Sequence, residues 1–501
     1  MLKKLLCTCL VALLLSGACA SLAAAEQPIV KLTWATAPMT APIDYAKVME
    51  KLNAITREKL GVEVDIRYYD NDMLQNAMLS GETFDMYYSS TWYNNFNQAV
   101  SIGYFADITD KVKEWTPKLY AAIDPRAWEM AKSSDGRLYA IPISSDFANI
   151  NYITYDAKFA RDNGFKIPER IKSWNELTDF LVAHKKALPE GEYPVMLTGA
   201  AAGLESSFDF IDRDAMIGVK FGDTKVVTCF DDPEVMDRYR VLHKWMNMGL
   251  INPDAATQTS VDQKHHHIKF ETAWPGYDFS PSYGYEAGVT CFCGPYLSTD
   301  SVQRNLTAFS VTLAEDEAKF KKALEYQEFV NTDQEYRDIL ACGIPGEHFN
   351  YVDIKNDDGT VAGRGIIRTE LGKSNYIVWP FTQGLQFLRT PEVDEKQLDG
   401  TYAKPVLNLK ERYDKMIETA PVSAISGFTF NSEKFDKELA QIQAVKSEYY
   451  TRIASGTIDP DTAVPEMLGK MNAVGLKDII AEAQKQLDEY LAAKNAAKPA
   501  A

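Results

Sequence analysis

The sequence predicts an α/β protein of more than one domain, and three observations carry that expectation. Its 501 residues exceed what one hydrophobic core organises, since single cores stop growing beyond about 250–300 residues. Hydrophobic residues make up 46% and charged residues 25%, the composition of an ordinary folded chain. Short alternating apolar runs are also separated by longer stretches with helical spacing, the order that builds parallel sheets with right-handed crossovers.

The elements follow in order. Ile29 to Ala35 alternates as a strand through Val30, Leu32 and Trp34, and Thr36 to Pro42 is a loop. Ile43 to Leu60 has helical spacing (Val48, Leu52, Ile55) stopped by Gly61. Val62, Val64 and Ile66 alternate with Glu63, Asp65 and Arg67 as a second strand. Met73 to Leu79 is a short helix and Phe84 to Tyr88 a third strand. In such sheets ligands meet the loops at the carboxyl ends of the strands, which singles out Thr36 to Pro42 and Ser89 to Asn97. Helical faces recur at Trp174 to Ala187, with Ser173 and Glu176 placed for a capping box, at Pro233 to Met248 and at Phe320 to Val330. Asp357-Asp358-Gly359 marks a hairpin within 351–368. Two amphipathic helices close the chain, one through Phe435, Leu439, Ile442, Val445, Tyr449 and Ile453, with Ser432 as its cap, the other from Leu476 to Leu491.

Charge and targeting bound the function. Lys+Arg 53 against Asp+Glu 70 gives a net charge of −17, a surface that repels phosphate backbones and argues against a nucleic-acid partner. Lys3 and Lys4, the apolar run Leu5 to Leu15 and small residues up to Ala25 form an export signal over 1–25. The protein is therefore expected outside the cytoplasm, in the periplasm or at the cell surface. Two processing outcomes fit: acylation at Cys19 of Ser16-Gly17-Ala18-Cys19, or cleavage near Ala25. A lipid on Cys19 would be the one contact with a membrane, because no later segment is a span. Cys229, Cys291, Cys293 and Cys342 are too few for a disulfide scaffold, and their spacing suits buried thiols or one local bridge better than a metal site.

Several runs resemble a known family. Gly81-Glu82-Thr83-Phe84-Asp85, then Gly103-Tyr104-Phe105-Ala106-Asp107-Ile108, then Asp135-Gly136-Arg137-Leu138-Tyr139-Ala140-Ile141-Pro142 are similar to segments of bacterial extracellular solute-binding proteins of ATP-driven (ABC) importers, in the sugar-type class. Gly427-Phe428-Thr429-Phe430, Glu448-Tyr449-Tyr450, Gly456-Thr457-Ile458-Asp459 and Ala473-Val474-Gly475-Leu476 resemble an uncharacterised C-terminal domain of one subfamily. The resemblance implies a two-lobed, periplasmic-binding-protein-like hinged clamp with a largely helical C-terminal extension. Lobe 1 would take 26–145 and about 300–345, lobe 2 146–299, and the extension 346–501, packed on the lobes. It also implies a monomer that captures a solute, with an oligosaccharide favoured, and delivers it to permease subunits.

A sugar site needs flat aromatic plates for C–H faces and polar groups for the hydroxyl rim. Ser90, Trp92, Tyr93 and Asn94 supply both directly after a strand; Trp274 and Tyr277 do so in a second loop, with Asp146 and Trp379 as further candidates. No catalytic residue or cofactor is expected, because no nucleophile elbow, metalloprotease helix or phosphate-loop lysine is present. Two alternatives share this surface chemistry: a secreted carbohydrate hydrolase, which needs a carboxylate pair, and a surface sugar-binding protein not coupled to transport. In His265-His266-His267 only His265 and His267 would share a face of an extended segment. No carboxylate adjoins them, so an exposed polar loop rather than a metal site is expected.

Overall fold

The computed structural model describes residues 28–496 except 38, 39, 91, 134, 144–146, 261, 262, 274–276 and 403. The expected export signal with Cys19, and the site candidates Asp146 and Trp274, lie outside the described residues. Among the described residues no helix is long and apolar enough to cross a membrane.

The first strands run β1 (Val30–Thr36), β2 (Val62–Tyr68) and β3 (Met86–Ser89), with β1 parallel to both others. The helix Tyr45–Leu60 makes the first crossover and ends where Gly61 adopts φ +66, its amide bonded back to Arg57 O and Thr56 O. That left-handed turn is open to glycine without a Cβ penalty. On β2 the alternation works as expected: Val62, Val64 and Ile66 are buried, while Asp65 and Arg67 are exposed. The family-like runs turn out to hold this sheet together. Asp85 accepts the Thr33 amide at 2.8 Å and the Lys319 ammonium at 2.6 Å, tying β1, β3 and the helix Glu317–Thr332. The Ile108 amide donates to Leu138 O at 2.8 Å, joining the other two runs.

After β4 (Ala140–Pro142) and β5 (Ala148–Asp156) the chain enters a second body. It contains the meander β6 (Phe208–Asp212), β7 (Ile217–Lys220) and β8 (Val227–Thr228), then β9 (Lys269–Ala273) and β10 (Ala287–Leu297). Here β5 is antiparallel to both β9 and β10. β11 (Leu306–Phe309) returns to complete the first sheet in the order β2-β1-β3-β11-β4, antiparallel to its neighbours. β12 (Phe349–Lys355) and β13 (Val361–Arg368) form the hairpin around Asp358 and Gly359.

Local signals set the helices. Ser173 caps a 3-10 turn with Glu176 reaching back, before the α-helix Thr178–Ala187 takes over. Ser432 stands at the start of another 3-10 turn, with no side-chain cap bond, before the helix Asp436–Ala454. A helix over Pro460–Ala473 has no counterpart in the sequence patterning, because Pro465 inside it breaks the apparent period.

Burial separates two cores. One gathers Leu32, Trp34, Tyr87, Ala148, Leu297 and Phe309, and continues through Tyr376, Leu385 and Ile417 to Ala420. The other gathers Ile153, Trp174, Tyr239, Trp245 and Phe292, and resumes at Ile425 through Ile442, Met467 and Leu487. The stretch from 346 onward, expected as one extension, is therefore shared: 376–420 fills the first core and 425–487 the second. Three segments cross between the bodies side by side. Ala148 pairs with Leu297, and Leu297 bridges Val422.

The four described cysteines are free; Cys229, Cys293 and Cys342 are buried, and Cys291 is partly so.

Candidate functional site

A cavity of about 520 Å3 lies between the two bodies. Trp92, Arg304, Asn305 and Phe381 line it from the first side; Glu271, Thr272, Tyr277, Phe279 and Tyr283 line it from the second. A further cavity of about 230 Å3 shares Thr272 and Arg304 with it, so the two are parts of one cleft. The inner part is polar, with Asn151, Glu205, Asp209, Arg213 and Asp300 around Tyr296, whose ring stacks on Phe221 at 3.9 Å. Cavities of about 590 and 680 Å3 lie elsewhere, each on one body alone. Movement of one body against the other would not enclose a ligand there.

The sequence candidates divide by their surroundings. Trp92 is 50% exposed, anchored by its indole N–H to Arg304 O at 3.1 Å, and turns ring surface to the cleft. Tyr277 faces it across the gap and meets Phe279 edge-on at 4.6 Å. Trp379 is 41% exposed and stacks on Phe381, at 5.7 Å and 18°, behind the cleft wall. Ser90, Tyr93 and Asn94 are buried, and their polar atoms fold the loop that presents Trp92. Ser90 Oγ accepts the Trp92 and Tyr93 amides at 3.1 and 2.7 Å, Tyr93 donates to Tyr69 O at 3.0 Å, and Asn94 Oδ1 accepts from Gln75 at 3.0 Å. Asn94 holds φ +47, a backbone angle that asparagine tolerates better than most residues.

Phe381, Arg304 and the inner residues Glu205, Asp209, Arg213 and Tyr296 carry no mark in the sequence that singles them out. Phe381 sits in a turn held by Arg337, a fully buried guanidinium that donates to Pro380 O, Gln383 O and Gly384 O at 2.8–3.0 Å. No local pattern announces that Phe381 will share a cleft wall with Trp92, because more than half of the chain lies between them. Electrostatics sharpen the inner part. Burial pushes the Asp209 carboxyl up to about 7, the Asp300 charge adds to the rise and Arg213 opposes it. Its Oδ2 has no hydrogen-bond partner among the described residues.

The histidine run differs from the expected exposed loop. His266 and His267 are buried, at 8% and 1% exposure, and Glu192 from a distant loop joins them. The three offer ligand atoms within 4.8 Å of one another, so the carboxylate absent from the local sequence is supplied by the fold. His267 Nδ1 already accepts the Lys264 amide at 3.0 Å, and Glu192 Oε1 accepts the Lys264 ammonium. These bonds build the 264–267 turn. Burial lowers His184 and His267 to about 4, leaving both neutral at pH 7.

Comparison with known proteins places the chain. Residues 41–261 match the family model for bacterial extracellular solute-binding protein, and residues 424–492 match a domain of unknown function, DUF3502. The chain is 24% identical over 466 residues to a carbohydrate ABC transporter substrate-binding protein of Streptococcus pneumoniae serotype 4, covering 90% of this chain and 89% of that one. It superposes on the N-glycan transport solute binding protein NgtS of Streptococcus pneumoniae with TM-score 0.79 at 22% identity, over 93% of this chain and all of that one. It also superposes on NgtS in complex with Man5GlcNAc with TM-score 0.70 at 23% identity, over 95% of this chain and all of that one. A further match is an HMO-binding, ABC-transporter-associated solute binding protein from Bifidobacterium longum infantis, with TM-score 0.58 at 17% identity over 93% and 99% of the two chains. Two α/β lobes, three crossings, a cleft between them and these two matched segments lead to one conclusion: the chain has the fold of the bacterial extracellular solute-binding proteins and resembles that family over 41–261, with the further domain matched over 424–492.

Proposed function

We propose that the protein captures an oligosaccharide in the interlobe cleft and delivers it, unaltered, to the permease of an ABC transporter. The observation that carries this reading is the composition of the cleft: aromatic faces at Trp92, Phe381 and Tyr277 at one end, and a polar pocket at the other. Aromatic plates take the C–H faces of sugar rings, and carboxylates, amides and guanidinium groups take the hydroxyls. The outer volume alone falls in the range of small-molecule sites, about 300–1,000 Å3, and the inner pocket extends it for a longer chain. The named ligands of the relatives, N-glycan fragments and milk oligosaccharides, belong to the same class.

Ligand held on one lobe draws the other over it. Shifting the lobes from 1:99 to 99:1 closed needs about 5.5 kcal/mol of differential affinity, and a micromolar complex has about 8 kcal/mol available. Resemblance to this family supports an exported protein; acylation at Cys19 and cleavage near Ala25 are separated by fatty-acid labelling of cells. The cleft reading is tested by calorimetry with a panel that includes Man1GlcNAc and Man5GlcNAc. Replacement of Trp92 by Ala should weaken the best ligand by roughly tenfold or more, the usual size of a lost sugar-stacking aromatic contact. Unchanged affinity would remove the site, and release of reducing ends from the bound glycan would make the protein a hydrolase.

A further inference from the structure

We propose that the C-terminal domain of unknown function is the brace of the inner sugar subsite, with Tyr450 positioning the Glu205 carboxylate from behind. This rests on the cleft being the solute site. None of the residues lining either part of the cleft comes from 424–492, so the domain does not touch solute directly. It holds the wall at three places instead.

The first is Glu205. Its Oε1 accepts the Tyr450 hydroxyl at 2.9 Å and the Tyr239 hydroxyl as well, from a helix of the second lobe. Both donors meet the same oxygen, which fixes the carboxylate plane and directs its orientation at the rim of the pocket. The second is Arg213, whose carbonyl accepts the Lys446 ammonium at 2.7 Å, one helical turn before Tyr450, while its guanidinium reaches Asp300 at 3.1 Å. The third is the Ser298–Ser301 corner. The Ser423 amide donates to Leu297 O at 2.7 Å, just ahead of the domain, and the Gly427 amide, within it, donates to Thr299 Oγ1 at 2.7 Å. Tyr450 and Lys446 both project from the helix Asp436–Ala454, on the flank of the apolar stripe that Ile442, Tyr449 and Ile453 sink into the second core. A rigid helix anchored by its apolar stripe thus fixes two polar groups of a binding pocket, which is how a site on long side chains is kept pre-organised.

The test uses the full chain and Man5GlcNAc and Man1GlcNAc as probes. On this proposal the smaller glycan is expected to occupy the aromatic end alone and the larger one to extend into the inner pocket. Tyr450→Phe is expected to weaken the larger glycan about fivefold, the size of one hydrogen bond lost from pre-organisation, and to leave the smaller one unchanged. Tyr449→Phe, whose hydroxyl goes to Glu466 at 2.6 Å and away from the cleft, serves as the control and should change neither. A merely structural role would weaken both glycans alike, and that outcome, or no change at all, overturns the proposal. A crystal structure of Tyr450→Phe gives a readout free of any ligand: an unmoved Glu205 carboxylate also overturns it. If wild type takes up neither these glycans nor any other oligosaccharide of the panel, the oligosaccharide reading itself fails, and the subsite falls with it.

Discussion

Asp209 allows the pH response of this fold to be worked in advance. Its folded-state carboxyl titrates at about 7 against an ordinary value of 3.8, because burial deprives the charged form of water and Asp300 adds repulsion. Between those two values the unfolded chain has lost the proton that the folded chain keeps. Folding therefore takes up a proton there, and stability falls as pH rises from about 4 to about 7. A shift of about three units corresponds to roughly 4 kcal/mol once the folded group is fully ionised. Asparagine has nearly the same shape and no charge to desolvate, so Asp209→Asn should gain on wild type as pH rises. The difference between the two should be small near pH 4 and grow by about 2–3 kcal/mol between pH 5 and pH 8. Urea unfolding followed by tryptophan fluorescence at those two pH values measures it. A difference that is equal at pH 5 and pH 8 would refute the argument, since a merely steric effect carries no pH dependence.

Other outcomes follow from the same structure. Neutral, buried His184 works in the opposite direction: its stabilising contribution is intact above pH 6.5 and is lost as pH falls toward 4, because the unfolded chain then binds a proton that the folded one refuses. His184→Gln should flatten the acid limb of a stability–pH curve. Removing the Arg337 side chain would take the donor from buried Gln383 O, while Pro380 O and Gly384 O keep Gln386, so Arg337→Ala should cost about 1–3 kcal/mol in denaturant melts and loosen Phe381 in the cleft. Gly456 sits at φ +77, where an added Cβ would come within 2.5 Å of Leu242 O, so Gly456→Ala should separate the helix Asp436–Ala454 from the second lobe and lower the thermal midpoint. Leu487→Ala, in the same core at 0% exposure, should cost about 2–5 kcal/mol by the usual large-to-small rule.

Much was legible in the sequence because the responsible forces are local. Alternation in β2, the glycine that ends the first helix, the Ser173–Glu176 cap and the hairpin at Asp358-Gly359 need only near neighbours, and each forms where the pattern placed it. The loop after β3 was also identified, but its side chains sorted themselves by burial: Trp92 reached the cleft, while Ser90, Tyr93 and Asn94 were consumed in shaping the loop. A run of polar and aromatic residues does not say which will face outward, because that depends on what packs beneath.

What the amino-acid order determined by itself was the class of fold, a resemblance to a family and the supply of aromatic and polar residues in loops after strands, since periodicity and short motifs are written in adjacent residues. The tertiary structure decided which residues meet. It set Phe381 beside the same cavity as Trp92, brought Glu192 to the buried histidines and Tyr450 to Glu205, and divided the C-terminal stretch between two cores at 420–425. Each of those contacts joins segments far apart in the chain, and only the folding of two lobes around three adjacent crossings brings the partners within reach of a hydrogen bond or a ring face.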